Sequence, residues 1–135
     1  MAKVLVADDS ELDRELTARA LRKADPAPDA VLVEDGEQAL QRLAEDPDIR
    51  LVLLDHRMPK MGAEDFLTAA PKELLDRVKV VLFSSAVSPS NVDRCLELGA
   101  TEYVEKPTDP TEYGTAIRGA LARHLGESTV DTVAP

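Results

Sequence analysis

The sequence predicts an α/β fold: a doubly wound, five-stranded parallel sheet made of consecutive strand–helix units, (βα)5. Three observations support this fold class. Short apolar runs alternate along the chain with segments whose apolar residues recur at helical spacing. The runs at residues 50–54 and 78–83 are nearly continuous, as in strands that are covered on both faces. Alternating strands and helices favour a parallel sheet with right-handed crossovers and helices on both sides.

The first two units have clear helix-start signals. Residues 3–7 form the first strand, and Ser10 with Asp13 makes a capping box for a helix over residues 10–24. Residues 30–34 form the second strand, and Asp35 caps the helix that follows it. The inward-facing residues predicted for these two helices are Leu12, Leu16, Ala20, Leu21, Ala39, Leu40, Leu43 and Ala44.

Prolines punctuate the remaining three units. Their strands are predicted at residues 50–54, 78–83 and 101–105. Pro71 must kink or interrupt the third helical region, because proline lacks the amide hydrogen that a helix needs. Pro89 and Pro110 each stand at the first position of the fourth and fifth helices, where that loss is harmless. The inward residues predicted for these two helices are Val92, Cys95, Leu96, Tyr113, Ile117, Ala120, Leu121 and Leu125.

Composition narrows the class of protein. The chain has 135 residues, 44% of them apolar, and a formal net charge of −10, which argues against binding to nucleic acid. The single cysteine, Cys95, excludes an intramolecular disulfide. No segment has the sequence pattern of a signal peptide or the length of a membrane span. We therefore expect a cytoplasmic protein without membrane contact. Residues 1–125 should form one domain, and residues 126–135 a flexible C-terminal tail.

Polar side chains follow four of the predicted strands at the point where each strand ends. Asp8 and Asp9 follow the first strand, Asp55 the third, Ser85 the fourth and Lys106 the fifth. Ligands bind beyond the carboxyl ends of the strands in open parallel sheets, so these groups should share one site. Three carboxylates and one ammonium leave a charge of −2, which a divalent cation would neutralise.

The residue types indicate phosphoryl chemistry with a hard metal ion. Carboxylate oxygens favour Mg²⁺, with Mn²⁺ as a second fit, over zinc. Asp55 is a candidate nucleophile, because carboxylates form acyl phosphates in some enzymes. Lys106 would neutralise the charge of the transferring group and Ser85 would donate a hydrogen bond to it. Ser84 we interpret as structural.

The same residues carry a family resemblance, which covers about residues 3–125. The chain resembles a response-regulator receiver domain of the chemotaxis-regulator type. The matching motifs, each weak alone but specific in their order and spacing, are Asp8-Asp9, Asp55 with Met58-Pro59, Ser85-Ala86, Tyr103 and Lys106-Pro107. The resemblance implies the flavodoxin-like strand order 2-1-3-4-5.

The resemblance also implies roles and partners. Asp55 would accept a phosphoryl group from a histidine of a sensor histidine kinase or a histidine phosphotransfer protein, which makes the chain a single-domain response regulator rather than an enzyme. Asp9 would ligate Mg²⁺ directly and Asp8 through water, with Asp55 and the backbone carbonyl of Arg57 completing the protein's share. Ser85 and Tyr103 would act as the switch. The surface of the fourth helix, fifth strand and fifth helix would then bind a downstream protein or a second copy, as a homodimer.

Other readings stay open beside this one. The chain would also suit a receiver fold that serves only as a protein-binding module or a phosphate sink. A flavodoxin-like carrier is disfavoured because Asp8 and Asp9 would repel a flavin phosphate, and a haloacid-type phosphatase because Arg57 stands where a second acid belongs. Arg57 and Val87 occupy positions that tune loss of the phosphoryl group in the family that the chain resembles, and a bulky and an apolar residue there imply slow loss. Side chains of neighbouring residues at a strand end point apart, so we expect His56 at the surface rather than beside Asp55 in the site. Cys95 we expect in the core.

Overall fold

The computed structural model describes residues 2–125 of the chain. The strands are β1 (Lys3–Ala7), β2 (Asp29–Val33), β3 (Ile49–Leu54), β4 (Lys79–Ser84) and β5 (Glu102–Glu105). The helices are α1 (Glu11–Arg22), α2 (Gly36–Glu45), α3 (Ala63–Ala69), α4 (Lys72–Arg77), α5 (Pro89–Leu98) and α6 (Pro110–His124). The predicted third helical region is divided at Pro71 into α3 and α4. The predicted fourth and fifth helices are therefore α5 and α6.

The strands form one parallel sheet in the order β2-β1-β3-β4-β5, so the predicted fold class and strand order are confirmed. At the carboxyl edge, Ala7 pairs with Val33 on one side and with Leu54 on the other. Ser84 pairs with Glu105 at the same edge. This register brings the residues that follow β1, β3 and β5 to one end of the sheet.

Two apolar layers cover the sheet, because alternate residues of each strand point to opposite faces. Leu5, Val52 and Leu82 face a layer formed by α2, α3 and α5. Val6 and Leu53 face a second layer, formed by α1 and α6. The central strands are buried on both sides, which explains their continuous apolar sequence.

For three residues the predicted inward position is wrong. Leu12 of α1 is 68% exposed, Leu96 of α5 is 41% exposed, and Ala44 of α2 is also exposed. Leu96 and Ala44 lie at the borders of their helical stripes, where spacing alone does not decide which side chain the sheet covers. Leu12 lies on the side of α1 opposite its buried residues Thr17 and Leu21. The predicted caps Ser10 and Asp35 accept hydrogen bonds from the first turns of α1 and α2. Ser88 and Asp109 do the same for α5 and α6.

Two further expectations concern the C-terminal tail and contact with a membrane. The predicted tail, residues 126–135, lies outside the described residues. Within residues 2–125, no helix has the length and apolar character that crossing a membrane requires.

Candidate functional site

Asp8, Asp55 and Lys106 meet at the carboxyl edge of the sheet because the strand ladder continues one residue past each strand end. The Asp8 amide donates to the Val33 carbonyl at 3.1 Å, and the Asp55 amide to the Ala7 carbonyl at 2.9 Å. The Lys106 amide donates to the carbonyl of the last residue of β4 at 2.8 Å. These bonds fix the backbone beneath each functional side chain.

The ammonium group of Lys106 lies at the centre of the site. It donates to Asp8 Oδ2 at 2.5 Å and lies 3.7 Å from Asp55 Oδ1. Its side chain is only 6% exposed, so these charges interact with little screening by solvent. The predicted proximity of Lys106 to the carboxylates is therefore observed.

Asp13 is a member of the site that the sequence prediction missed. Its carboxylate accepts a 2.8 Å hydrogen bond from Lys106. The sequence was interpreted as a reciprocal capping box, but only half of it forms: the Asp13 amide donates to Ser10 Oγ, while the Ser10 amide donates to Asp8 Oδ1 instead. One feature of the sequence could have indicated this role. Asp13 is an acid in the first turn of α1, and that turn lies close to the carboxyl end of β1.

The structure corrects the serine prediction at the end of β4. Ser84, not Ser85, reaches the candidate phosphoacceptor: its hydroxyl donates to Asp55 Oδ1 at 2.6 Å. The reason is that β4 continues through Ser84, one residue beyond the predicted end of the strand, so the buried strand-end hydroxyl is that of Ser84. Ser85 is exposed in the following loop.

Tyr103 holds the β4–α5 loop from β5. Its hydroxyl donates to the backbone carbonyl of Ser85 at 3.3 Å and accepts from the Val87 amide at 3.2 Å. The ring is half-buried and packs against the layer of α2, α3 and α5. Tyr103 is thus linked to the loop that follows Ser84, although it does not reach the carboxylates.

The crowding of carboxylates shifts two pKa values. Burial raises the pKa of Asp8 to about 6; the Lys106 ammonium and the Ser10 amide oppose the rise, and the charge of Asp55 adds to it. For Lys106, burial lowers the pKa, but the hydrogen bonds to Asp13 and Asp8 outweigh burial and raise it above its usual value. The lysine therefore stays charged, and Asp8 keeps its proton to a higher pH than an ordinary aspartate does.

The acidic residues offer a donor set for a hard cation. Carboxylate oxygens of Asp8, Asp9 and Asp55 lie within 4.8 Å of one another. Asp9 is exposed and Asp55 is half-buried, which leaves room for water and for a further ligand. Oxygen-only donors with an open side suit Mg²⁺, which keeps several waters and uses few carboxylates. Arg57 is exposed two residues beyond Asp55, and a ligating role for its carbonyl stays a prediction.

Comparison with known proteins gives consistent results at the level of sequence and of fold. A family model described as the response regulator receiver domain matches residues 4–118. The two-component response regulator ORR3 of Oryza sativa subsp. indica is 36% identical over 110 residues, which cover 81% of this chain and 82% of that protein.

Two solved structures have the same fold. The chemotaxis response regulator CheY4 of Vibrio cholerae is 25% identical, with a TM-score of 0.77, over 91% of this chain and 98% of that one. A response regulator from Hahella chejuensis is 23% identical, with a TM-score of 0.81, over 93% of this chain and 96% of that one.

Proposed function

The chain belongs to the response regulator receiver domain family, and we propose that Asp55 is its phosphoacceptor in a Mg²⁺-dependent reaction. Response regulators interact with histidine kinases or histidine phosphotransfer proteins, and a phosphohistidine of such a partner would be the donor. The observation that carries the proposal is the convergence on Asp55 of a lysine ammonium at 3.7 Å, a serine hydroxyl at 2.6 Å and two further carboxylates.

The acidic residues supply the metal ligands in this proposal. Asp8, Asp9 and Asp55, with the backbone carbonyl of Arg57, would hold Mg²⁺, or Mn²⁺ in its place. The bound ion would supply positive charge to the phosphoryl oxygens during transfer. This requires ionised carboxylates, and Lys106 keeps Asp8 and Asp55 oriented towards each other until the ion binds.

The transfer itself needs positioning and charge neutralisation. A carboxylate oxygen of Asp55 attacks phosphorus, the bond between phosphorus and the histidine nitrogen breaks, and an acyl phosphate forms. Lys106 neutralises charge on the phosphoryl oxygens from its buried position. The Ser84 hydroxyl, which now donates to Asp55, is placed to donate to a phosphoryl oxygen afterwards. The lysine and the serine approach the carboxylate from β5 and β4, so phosphorylation of Asp55 would change contacts at the ends of both strands.

The signal would leave through the face formed by α5, β5 and α6. Ser84 is followed directly by the loop that Tyr103 holds, so a shift of Ser84 towards a phosphoryl group would change the contacts of Tyr103. Leu96 exposes 41% of its surface on α5, where a downstream protein or a second copy of the chain would bind. A phosphate sink would use the same site at Asp55 without this surface.

Two finer parts of the proposal concern lifetime and setting. Arg57 is exposed and Val87 half-buried beside the site, and we expect them to slow hydrolysis of the acyl phosphate. Replacing Arg57 by alanine should then shorten the phosphoryl lifetime. We expect this signalling in the cytoplasm, together with the histidine kinase or phosphotransfer protein that would donate the phosphoryl group.

The experiment is phosphorylation by a small phosphodonor with Mg²⁺, measured by intact mass. The wild-type chain should gain one phosphoryl group and Asp55→Asn none. Ser84→Ala and Ser85→Ala form a matched pair: the first should slow the reaction by roughly tenfold, the equivalent of one lost hydrogen bond to a charged group, and the second should not. Phosphorylation of Asp55→Asn, or equal rates for the two serine variants, would contradict the proposed site.

A further inference from the structure

A second cluster of metal-ligating side chains lies on the other side of the loop that follows β3. His56, Glu64 and Cys95 each offer one ligand atom, and these three atoms lie within 4.8 Å of one another. None of them belongs to the acidic site around Asp55. We propose that His56, Glu64 and Cys95 form a binding site for Zn²⁺.

The fold builds this cluster from three separate segments. Consecutive residues at a strand end point to opposite faces, so the chain turns Asp55 towards Lys106 and His56 towards α3 and α5. The carbonyl of His56 accepts a 3.0 Å hydrogen bond from the Ala63 amide, which fixes the start of α3 and places Glu64 beside the imidazole. The expectation of a surface histidine is therefore wrong: the His56 side chain is only 11% exposed.

Cys95 closes the cluster from α5. It is completely buried in the apolar layer that α3 and α5 share, as the sequence predicts. Burial, and then the charge of Glu64, raise the pKa of its thiol to about 11, so the metal-free thiol stays protonated. His56 Nε2 and Glu64 Oε2 lie 2.9 Å apart, so these two side chains are hydrogen-bonded to each other when no ion is bound.

The donor set selects zinc over the ions that suit the acidic site. Imidazole nitrogen, thiolate sulfur and carboxylate oxygen are the ligands that Zn²⁺ prefers, whereas Mg²⁺ requires oxygen donors. Bond lengths of about 2.0–2.3 Å in a tetrahedral site place ligand atoms roughly 3.3–3.8 Å apart. The three atoms need only small side-chain adjustments to reach that spacing. Glu64, whose side chain is 31% exposed, leaves an outer side where water completes the tetrahedron.

The charge balance suits a half-buried position. On binding, Cys95 releases its thiol proton to solvent and bonds as the thiolate, while His56 bonds as the neutral imidazole. The two positive charges of the ion are then balanced by one negative charge on the thiolate and one on Glu64. The occupied site is neutral, so burying it does not carry the large cost of an uncompensated charge.

An ion at this site would tie two segments together. His56 directly follows Asp55, and Cys95 lies in α5, the helix that borders the proposed signalling face. The bound ion would restrain the loop after β3 against α5 independently of phosphorylation. A test of metal binding is therefore separate from any test of the reaction at Asp55.

The chain contains a matched control for this site. His124 and Glu102 form the other histidine–glutamate contact, with side-chain exposures of 12% and 28%, against 11% and 31% for His56 and Glu64. Only the pair at His56 has a cysteine beside it, because Cys95 is the single cysteine of the chain. A variant of His124 therefore controls for general loss of an imidazole.

The experiment uses the full chain in excess Mg²⁺, which occupies the oxygen donors of the acidic site. Co²⁺ is the probe, because a thiolate ligand gives it a charge-transfer absorption, and Zn²⁺ is then titrated to displace it. We expect one equivalent of Co²⁺ with this absorption, complete displacement by Zn²⁺, and no charge-transfer absorption in Cys95→Ser.

The histidine and glutamate variants keep the test decisive if the buried Cys95→Ser change prevents folding. His56→Gln and Glu64→Gln should each weaken Zn²⁺ binding by at least about tenfold, while His124→Gln should leave it unchanged within about twofold. Three results would overturn the site: no charge-transfer absorption in the wild type, an absorption that survives in Cys95→Ser, or equal weakening by His56→Gln and His124→Gln.

Discussion

Magnesium binding should weaken as the pH falls from 7 to 5, because a proton competes with the metal for Asp8. Burial raises the pKa of this carboxyl to about 6. It follows that roughly one tenth of Asp8 carries a proton at pH 7 and roughly nine tenths at pH 5. Since the ion needs the carboxylate, the apparent Kd should rise about tenfold over this range, which equals about 1.4 kcal/mol.

The assay is calorimetric titration with MgCl₂ at the two pH values and constant ionic strength. Asp8→Asn is the control: it should bind Mg²⁺ more weakly at both values, but its Kd should change by less than about twofold between them, because Asn does not titrate. A wild-type Kd that is the same at pH 5 and pH 7 would refute the reasoning. It would show that Asp8 is already ionised at pH 5, or that it contributes nothing to the metal site.

The same pKa sets the sign of a stability effect in metal-free buffer. Asp8 titrates at about 6 in the folded chain, above its ordinary value of 3.8. Its contribution to stability is therefore complete below pH 3.8 and is lost as the pH rises through 6. Asp8→Asn should raise the free energy of unfolding. This increase should be larger at pH 7 than at pH 5 by about 1 kcal/mol. Urea unfolding at both values measures this difference.

Four further substitutions test contacts at the site and in the helices around it. Tyr103→Phe removes the hydroxyl that bridges the β4–α5 loop, so amide hydrogen exchange in that loop should accelerate while the midpoint of urea unfolding changes little. Gly36→Ala should destabilise the chain by about 1–3 kcal/mol in urea, because its Cβ would lie 2.6 Å from a backbone carbonyl of the β3–α3 loop; Gly114→Ala, which meets only a flexible arginine end, should stabilise α6 by up to about 1 kcal/mol. Thr17→Val breaks the buried 2.9 Å hydrogen bond to the Tyr113 hydroxyl and should cost about 1 kcal/mol in the same assay.

The fold and most of the acidic site could be predicted from sequence because both depend on local signals. Apolar runs end directly before Asp8 and Asp55, Lys106 directly follows the short strand β5, and parallel topology brings these strand ends together. The serine could not be assigned in this way. Ser84 and Ser85 are chemically identical neighbours, and only the length of β4 decides which hydroxyl lies inside.

Two other features were hidden for a different physical reason. Asp13 has a sufficient local role as a helix-start acid, so its contact with Lys106, 93 residues further along, leaves no separate mark on the sequence. His56 was assigned to the surface from the correct premise that neighbouring side chains point apart. The premise does not say what lies on the far side, and there α3 and α5 cover the imidazole.

The loop after β3 therefore connects two chemically different environments through one peptide unit. The Asp55 carboxylate accepts hydrogen bonds from Ser84 and from the backbone amide of His56, at 2.6 and 2.9 Å, so the position of the imidazole residue directly affects the proposed phosphoacceptor. Rotating that amide away would remove one of the donors that orient Asp55 Oδ1. Restraint of His56 by α3 and α5 thus helps to keep the carboxylate in place, and a change in the packing of these helices against His56 would alter the orientation of the carboxylate.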